Sequence, residues 1–350
     1  MYTIEFFLRE VVLLRGMKGH RVGWCCTYLP VEIIEAGGLL PQRLVPEGGG
    51  PKDDALLDPN FCPYIRRVAG ALMEGKESPD GLVLMNTCDG MRRLFDAITY
   101  YLPSLPVFLL DVPRKRDEAA LLYFYEGLKE LIAWLQETFS VKIREEDLRE
   151  AIKGANTTRK ILRKLWSKRG IKASNLFAAI RRGFSLPREE FNRLLKERLR
   201  RPPEHLEGRP ILMTGSLLEA TSLIRYVEEM GGEVIALDLC TGGRMVEEVP
   251  QEENPLLSLA RAYLRKPPCA RMAPSTERLE LLEGLIERER PEGLIYYASK
   301  FCDPYLFEAP LVRDLCGKRG IPFLLIEGEY TGQVTGGMKT RVQAFLELGR

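Results

Sequence analysis

Histidine is nearly absent from this chain: its 350 residues include two, His20 and His205. Hydrolytic triads and most zinc sites need a placed imidazole. His20 stands in a Lys/Gly turn and His205 in a Pro/Glu-rich linker, so neither reads as an active-site residue. The chain also lacks a Cys-x-x-Cys pair and any Cys/His cluster at zinc-finger spacing, which argues against structural zinc. It lacks Gly-x-Gly-x-x-Gly, which disfavours a nicotinamide-dependent Rossmann enzyme. No apolar run approaches the roughly 20 residues of a membrane span. The opening MYTIEFFLREVVLLRGMKGH is interrupted by Glu5, Arg9, Glu10 and Arg15, so it reads as an amphipathic helix and not as a secretory signal. A formal net charge of +2 gives no field to draw nucleic acid or an acidic membrane. The expectation is a cytoplasmic protein that engages neither.

What is present is an alternation of apolar strands and amphipathic helices. RVGWCC precedes TYLPVEIIEAGG, and DGLVLMNTCD precedes GMRRLFDAITYYL. RPILMTG precedes SLLEATSLIRYVEEMGG, with EVIALDLCTGG after it. EGLIYYASKFCD precedes PYLFEAPLVRDLCGKRG, with IPFLLIEG after it. That order predicts an α/β fold with parallel sheets covered on both faces. From about 113 to 201 the chain is charged, Leu-rich and helical, and RPPEHLEGRP then breaks the pattern. The expected organisation is an N-terminal α/β domain with a helical appendage over 1–205 and a C-terminal α/β domain over 206–350. DGLVLMNTCD and EGLIYYASKFCD share one pattern, acidic–Gly–apolar strand–Cys–Asp, which points to two copies of one fold.

Eight cysteines in a reducing compartment are poor candidates for disulfides. Cys26, Cys88, Cys240 and Cys302 each fall at or just after a strand's C-terminal end, where open α/β sheets place ligands. Cys316 lies within a helix and reads as core, and Cys269 follows two prolines and is ambiguous. Cys62, in DPNFCPYIRRVAG, stands at a helix start, which favours thiolate and offers N–H groups to sulfur. Cys25 and Cys26 are adjacent, so a strand sends them to opposite faces, with Cys26 and Thr27 toward the cleft. Thiols converging from separate loops suit an iron–sulfur cluster better than zinc. Spacing alone does not choose among them.

FCPYIRRVAGALMEG, GLVLMNTCDGMRRLFDAI and LIYYASKFCDPYLFEAPLVRDLCGKRGIPFLLIEGEYTGQVTGGMKTRVQAFLE resemble the 2-hydroxyacyl-CoA dehydratase family, which includes benzoyl-CoA reductase subunits and double-cubane cluster proteins. CCTYLPVEIIEAGGLLPQRL and ALDLCTGGR resemble it too, and the similarity is weakest in the helical middle. The resemblance implies two flavodoxin-like (Rossmann-like) domains with a helical region between them. It implies a [4Fe-4S] cluster between the domains on Cys62, Cys88 and Cys302, with one iron left open. It also implies a homologous partner subunit, as heterodimer or homodimer. A separate ATP-dependent activator, with its own iron–sulfur cluster, would supply one electron. The acyl-CoA substrate would become a ketyl radical and lose its hydroxyl group, a carbon–oxygen lyase reaction. If Cys26 and Cys240 joined the three, a double-cubane [8Fe-9S] cluster and a reductase of small molecules would follow. A subunit that only relays electrons is the remaining alternative.

Other residues carry weaker expectations. Asp89 and Asp303 each follow an implied ligand and read first as helix N-caps. Thr27 and Glu32 are candidates for catalytic roles, Glu32 as a proton carrier, although such a glutamate is more often solvated. GQVTGGMKTRVQAF nearly spells a phosphate loop, but Met338 separates Gly from Lys-Thr, so nucleotide hydrolysis is disfavoured. Lys339 and Arg341 at that helix start suit an anion such as the coenzyme A pyrophosphate, with capping and surface charge as the simpler account.

Overall fold

Short runs rich in Val, Leu, Ile and Tyr fit strands buried on both faces of a sheet. In a computed structural model of the chain they form eight strands in two sheets. The structure describes residues 19–46, 49–168, 170–204, 206–218, 220–245 and 247–348. The expected N-terminal helix, up to residue 18, and His205 lie outside these residues.

The first sheet holds β1 (Arg21–Trp24), β2 (Leu40–Arg43), β3 (Gly81–Asn86) and β4 (Val107–Asp111) in the order β2-β1-β3-β4. The second holds β5 (Arg209–Gly215), β6 (Gly232–Asp238), β7 (Gly293–Ser299) and β8 (Phe323–Gly328) in the order β6-β5-β7-β8. Every pairing is parallel. The two orders are the same once the second set is renumbered, and they match the start of the flavodoxin-like order. β3 and β7, which carry the repeated motif, occupy equivalent places. The fold is therefore α/β with two flavodoxin-like parallel sheets.

Each sheet is buried on both faces, and the alternation of side chains decides which helices cover which face. Leu82 and Leu84 of β3 pack under α2 (Pro63–Met73) and α3 (Asp89–Tyr101). Val83 and Met85 face the other way, toward α4 (Glu118–Phe139), α5 (Glu145–Ser167) and α7 (Arg188–Arg200). In the second sheet Ile211, Met213 and Ile295 pack with α8 (Ser222–Glu229) and α12 (Gly336–Glu347). Leu294 and Tyr296 pack with α10 (Thr276–Glu289) and α11 (Asp303–Lys318).

Packing crosses between the halves at two places. α6 (Ala173–Gly183) puts Leu176 and Ile180 into the first core, and Ala173 and Phe177 into the second. α9 (Pro255–Arg265) belongs to the second half in sequence, yet Leu256, Leu259 and Leu264 sit in the first core. Arg116 fixes this arrangement, donating to the carbonyls of Leu264 (3.0 Å) and Arg265 (2.7 Å) at the C-terminal end of α9. Arg271 returns the contact by donating to the Val112 carbonyl beyond β4, at 2.6 Å. The crevice beyond both sets of strand ends is thereby held in one shape. Among the described residues no helix is long and apolar enough to cross a membrane.

Candidate metal centre

Six of the eight cysteines gather in that crevice. Cys26 comes from the turn after β1, Cys88 follows β3, Cys240 follows β6 and Cys302 follows β7. Cys62 precedes α2, and Cys269 lies in the loop after α9. The Cys62 and Cys302 thiols are hydrogen-bonded to each other, and Cys88 lies within charge range of Cys62, Cys26 and Cys269. Cys269 in turn lies within charge range of Cys240. The remaining two are core residues. Cys25 is 1% exposed and packs beneath α2 and α3, its thiol pushed up to about 12 by burial, and Cys316 is fully buried within α11.

The six thiols fall into two trios by what surrounds them. Cys62, Cys88 and Cys302 occupy the N-cap positions of α2, α3 and α11. A helix start presents unpaired backbone N–H groups, which suit a sulfur anion. The Cys62 thiol is held below its usual range, first because Cys302 donates to it, and further by the N–H groups of Tyr64 and Ile65. These outweigh its burial. Burial pushes the Cys88 thiol up to about 12 against one N–H bond from Met91. Pro63 and Pro304 follow their cysteines within two residues, and proline is pre-shaped for the first helical turn. Phe301, just before Cys302, has φ +57°, a left-handed conformation uncommon for a bulky residue. That sharp turn aims Cys302 into the crevice. Asp89 and Asp303, expected as caps, stand one residue inside their helices, and Cys88 and Cys302 take the cap positions.

Side chains surround the second trio, Cys26, Cys240 and Cys269. The Tyr305 hydroxyl lies 3.6 Å from Cys240 Sγ and donates to Cys269 Sγ at 3.4 Å. Arg244 Nη1 lies 3.8 Å from Cys240 Sγ. Arg244 is oriented from behind by Asp238, at 2.7 Å, and Asp238 also pairs with Arg278. Burial pushes the Asp238 carboxyl up, but the two guanidinium groups outweigh it and hold the carboxyl well below the usual range. Lys266 is 8% exposed, donates to the Thr27 carbonyl, and lies 4.4 Å from the Tyr28 ring centre. Burial pulls its ammonium down to about 8, against the opposing charges of Cys26, Cys240 and Cys269.

Sulfur is the donor type throughout, which suits iron–sulfur groups. Among the described residues no three His, Cys, Asp or Glu side chains sit close enough for a single ion. By donor type, the residues present fit a group of iron and sulfur.

Thr27 is brought to the edge of this centre, and Glu32 lies behind Arg159 and Tyr263. Thr27 lines a cavity beside Lys266. Glu32, on α1 (Val31–Ala36), is fully buried and not solvated. It accepts from Tyr263 at 2.7 Å and from Arg159 at 2.5 Å. Burial raises its carboxyl, but Arg159, a backbone N–H, Tyr263 and Arg188 together more than offset this and the net displacement is downward. Lys339 and Arg341 are exposed on α12, with the Lys339 ammonium 5.7 Å from the Tyr226 ring centre, and neither lines the cavity. Sequence leaves Cys269 ambiguous and does not single out Arg244, Lys266 or Tyr305. Two of these have a signal in their spacing: Tyr305 is one helical turn beyond Cys302, and Arg244 four residues beyond Cys240.

The family described as 2-hydroxyglutaryl-CoA dehydratase, D-component, matches residues 26–348. One of the benzoyl-CoA reductase subunits of Thauera aromatica is 27% identical over 334 residues, 89% of this chain and 86% of that protein. The putative dehydratase subunit YjiM of Escherichia coli (strain K12) is 27% identical over 351 residues, 93% of this chain and 91% of that protein. The beta subunit of (R)-2-hydroxyglutaryl-CoA dehydratase from Acidaminococcus fermentans is 22% identical, covering 93% and 91%.

Proposed function

Because the chain belongs to the 2-hydroxyglutaryl-CoA dehydratase D-component family, we propose that it is the iron–sulfur subunit of a reductive enzyme whose two cysteine trios hold a double-cubane [8Fe-9S] cluster. Cys62, Cys88 and Cys302 would hold one cubane, and Cys26, Cys240 and Cys269 the other. The convergence of six thiols, in two trios, carries this reading. When bound, the group supplies low-potential single electrons. The chain's own residues do the rest. N–H groups of the first helical turns face the Cys62 and Cys88 sulfurs, Tyr305 donates to Cys269, and Tyr305 and Arg244 lie against Cys240.

Relatives named as subunits of larger enzymes support a homologous partner chain, as heterodimer or homodimer. Delivery of the electron by an ATP-dependent activator belongs to the same reading. A second reading rests on relatives named for acyl-CoA substrates. In it a single [4Fe-4S] cluster sits on Cys62, Cys88 and Cys302, and the chain serves a 2-hydroxyacyl-CoA dehydratase or reductase.

Iron and sulfide counted after anaerobic purification separate the two. We expect about eight irons per chain, and about half that number in Cys269→Ala or Cys240→Ala. A count near four, unchanged by those two variants and abolished by Cys62→Ala, would favour the single cluster. Wild-type iron in Cys62→Ala, Cys88→Ala and Cys302→Ala alike would sink both.

A further inference from the structure

A cavity of about 90 Å³ runs beside the second cysteine trio, between α1, α5, α7 and α9. Thr27, Arg244, Tyr263 and Lys266 line it near the thiols, and Trp24, Leu162 and Phe191 are among its apolar lining residues. By the measure in which one water needs ~10–15 Å³, the space admits a small ligand.

Its buried polar groups are mostly donors. An ammonium carries three N–H bonds. Lys266 uses one on the Thr27 carbonyl, and among the described residues no carboxylate is in ion-pair contact with it. The other lining cations are committed: Arg159 to Glu32, Arg188 to Glu35, and Arg244 to Asp238. Of the lining carboxylates, Glu35 is taken by Arg188 and Glu247 is exposed. A buried donor left without an acceptor is costly, and more so when charged.

We propose that this cavity binds a compact anion, held by Lys266 beside Cys26, Cys240 and Cys269. Its role as a substrate pocket rests on the reading that these thiols carry a cluster; anion binding itself does not. Lys266 would fix the ligand's charge and the apolar walls its size.

The test is calorimetric titration of the anaerobically purified protein with formate, and with formamide as its neutral counterpart, with iron counted on every sample. Formate should bind and formamide should not. Lys266→Met should weaken formate at least tenfold with iron unchanged, and Lys266→Arg should keep part of the affinity. Equal binding of formate and formamide by wild type would overturn the proposal, and so would no formate binding by an iron-replete sample. Lysine-dependent formate binding by a chain without iron would keep the pocket and remove the cluster reading instead.

Discussion

Asp238 shows how a buried side chain that is no ligand itself, two residues before Cys240, can decide the state of the centre. It holds Arg244 against Cys240 and shares its other oxygen with Arg278. Its carboxyl ionises more readily in the fold than in the unfolded chain. The stability it contributes is therefore present above the unfolded value of about 4, and it is lost as pH falls from there toward the folded value. Asp238→Asn leaves two buried guanidinium groups short of a partner and should cost about 3–5 kcal/mol at neutral pH. Urea unfolding at several pH values checks this: the gap between variant and wild type should narrow below about pH 4. A gap of constant size would mean that Asp238 acts by packing alone. Residues of this kind are the least visible in sequence. Cys62, Cys88 and Cys302 stand in motifs, whereas Asp238 and Lys266 acquire their roles only from what burial removes around them.

Elements are easier to read, because strand periodicity and turn residues are local signals. RPILMTG is β5 as expected, and the repeated motif forms the equivalent strands β3 and β7. LPQR, which forms β2, gives no such signal: a proline and two polar residues conceal a strand that pairs with β1 along its whole length. The helical middle is legible as helical, but the division of α6 between two cores is not, since both of its faces are apolar in ordinary ways. At the end of β5 the strand geometry is demanding. Gly215 has φ +134°, and a Cβ there would overlap the Tyr297 carbonyl oxygen of β7. Gly215→Ala should push β5 and β7 apart and cost about 4 kcal/mol or more, at the extreme of single substitutions. A thermal midpoint within a degree or two of wild type would contradict this account of the strand contact.

At the scale of the whole molecule, the two halves are joined by exchanged segments more than by facing surfaces. Arg116 binds the last carbonyls of α9 and so fixes the chain leading to Lys266 and Cys269. Arg116→Ala should raise amide exchange over residues 264–272 and speed the loss of iron to a chelator several-fold. Unchanged exchange there would show that α9 is held by its apolar face alone. The convergence of thiols from both halves also bears on how the protein is made. The ribosome releases Cys26, Cys62 and Cys88 with the first sheet, while Cys302 appears only after β7 has been made. On the proposed ligand sets, neither cubane has all its thiols before the second sheet is under way. Cluster insertion must wait for that sheet, and a nascent chain carries half a set of exposed thiols through much of synthesis, the interval in which oxygen would do it most harm.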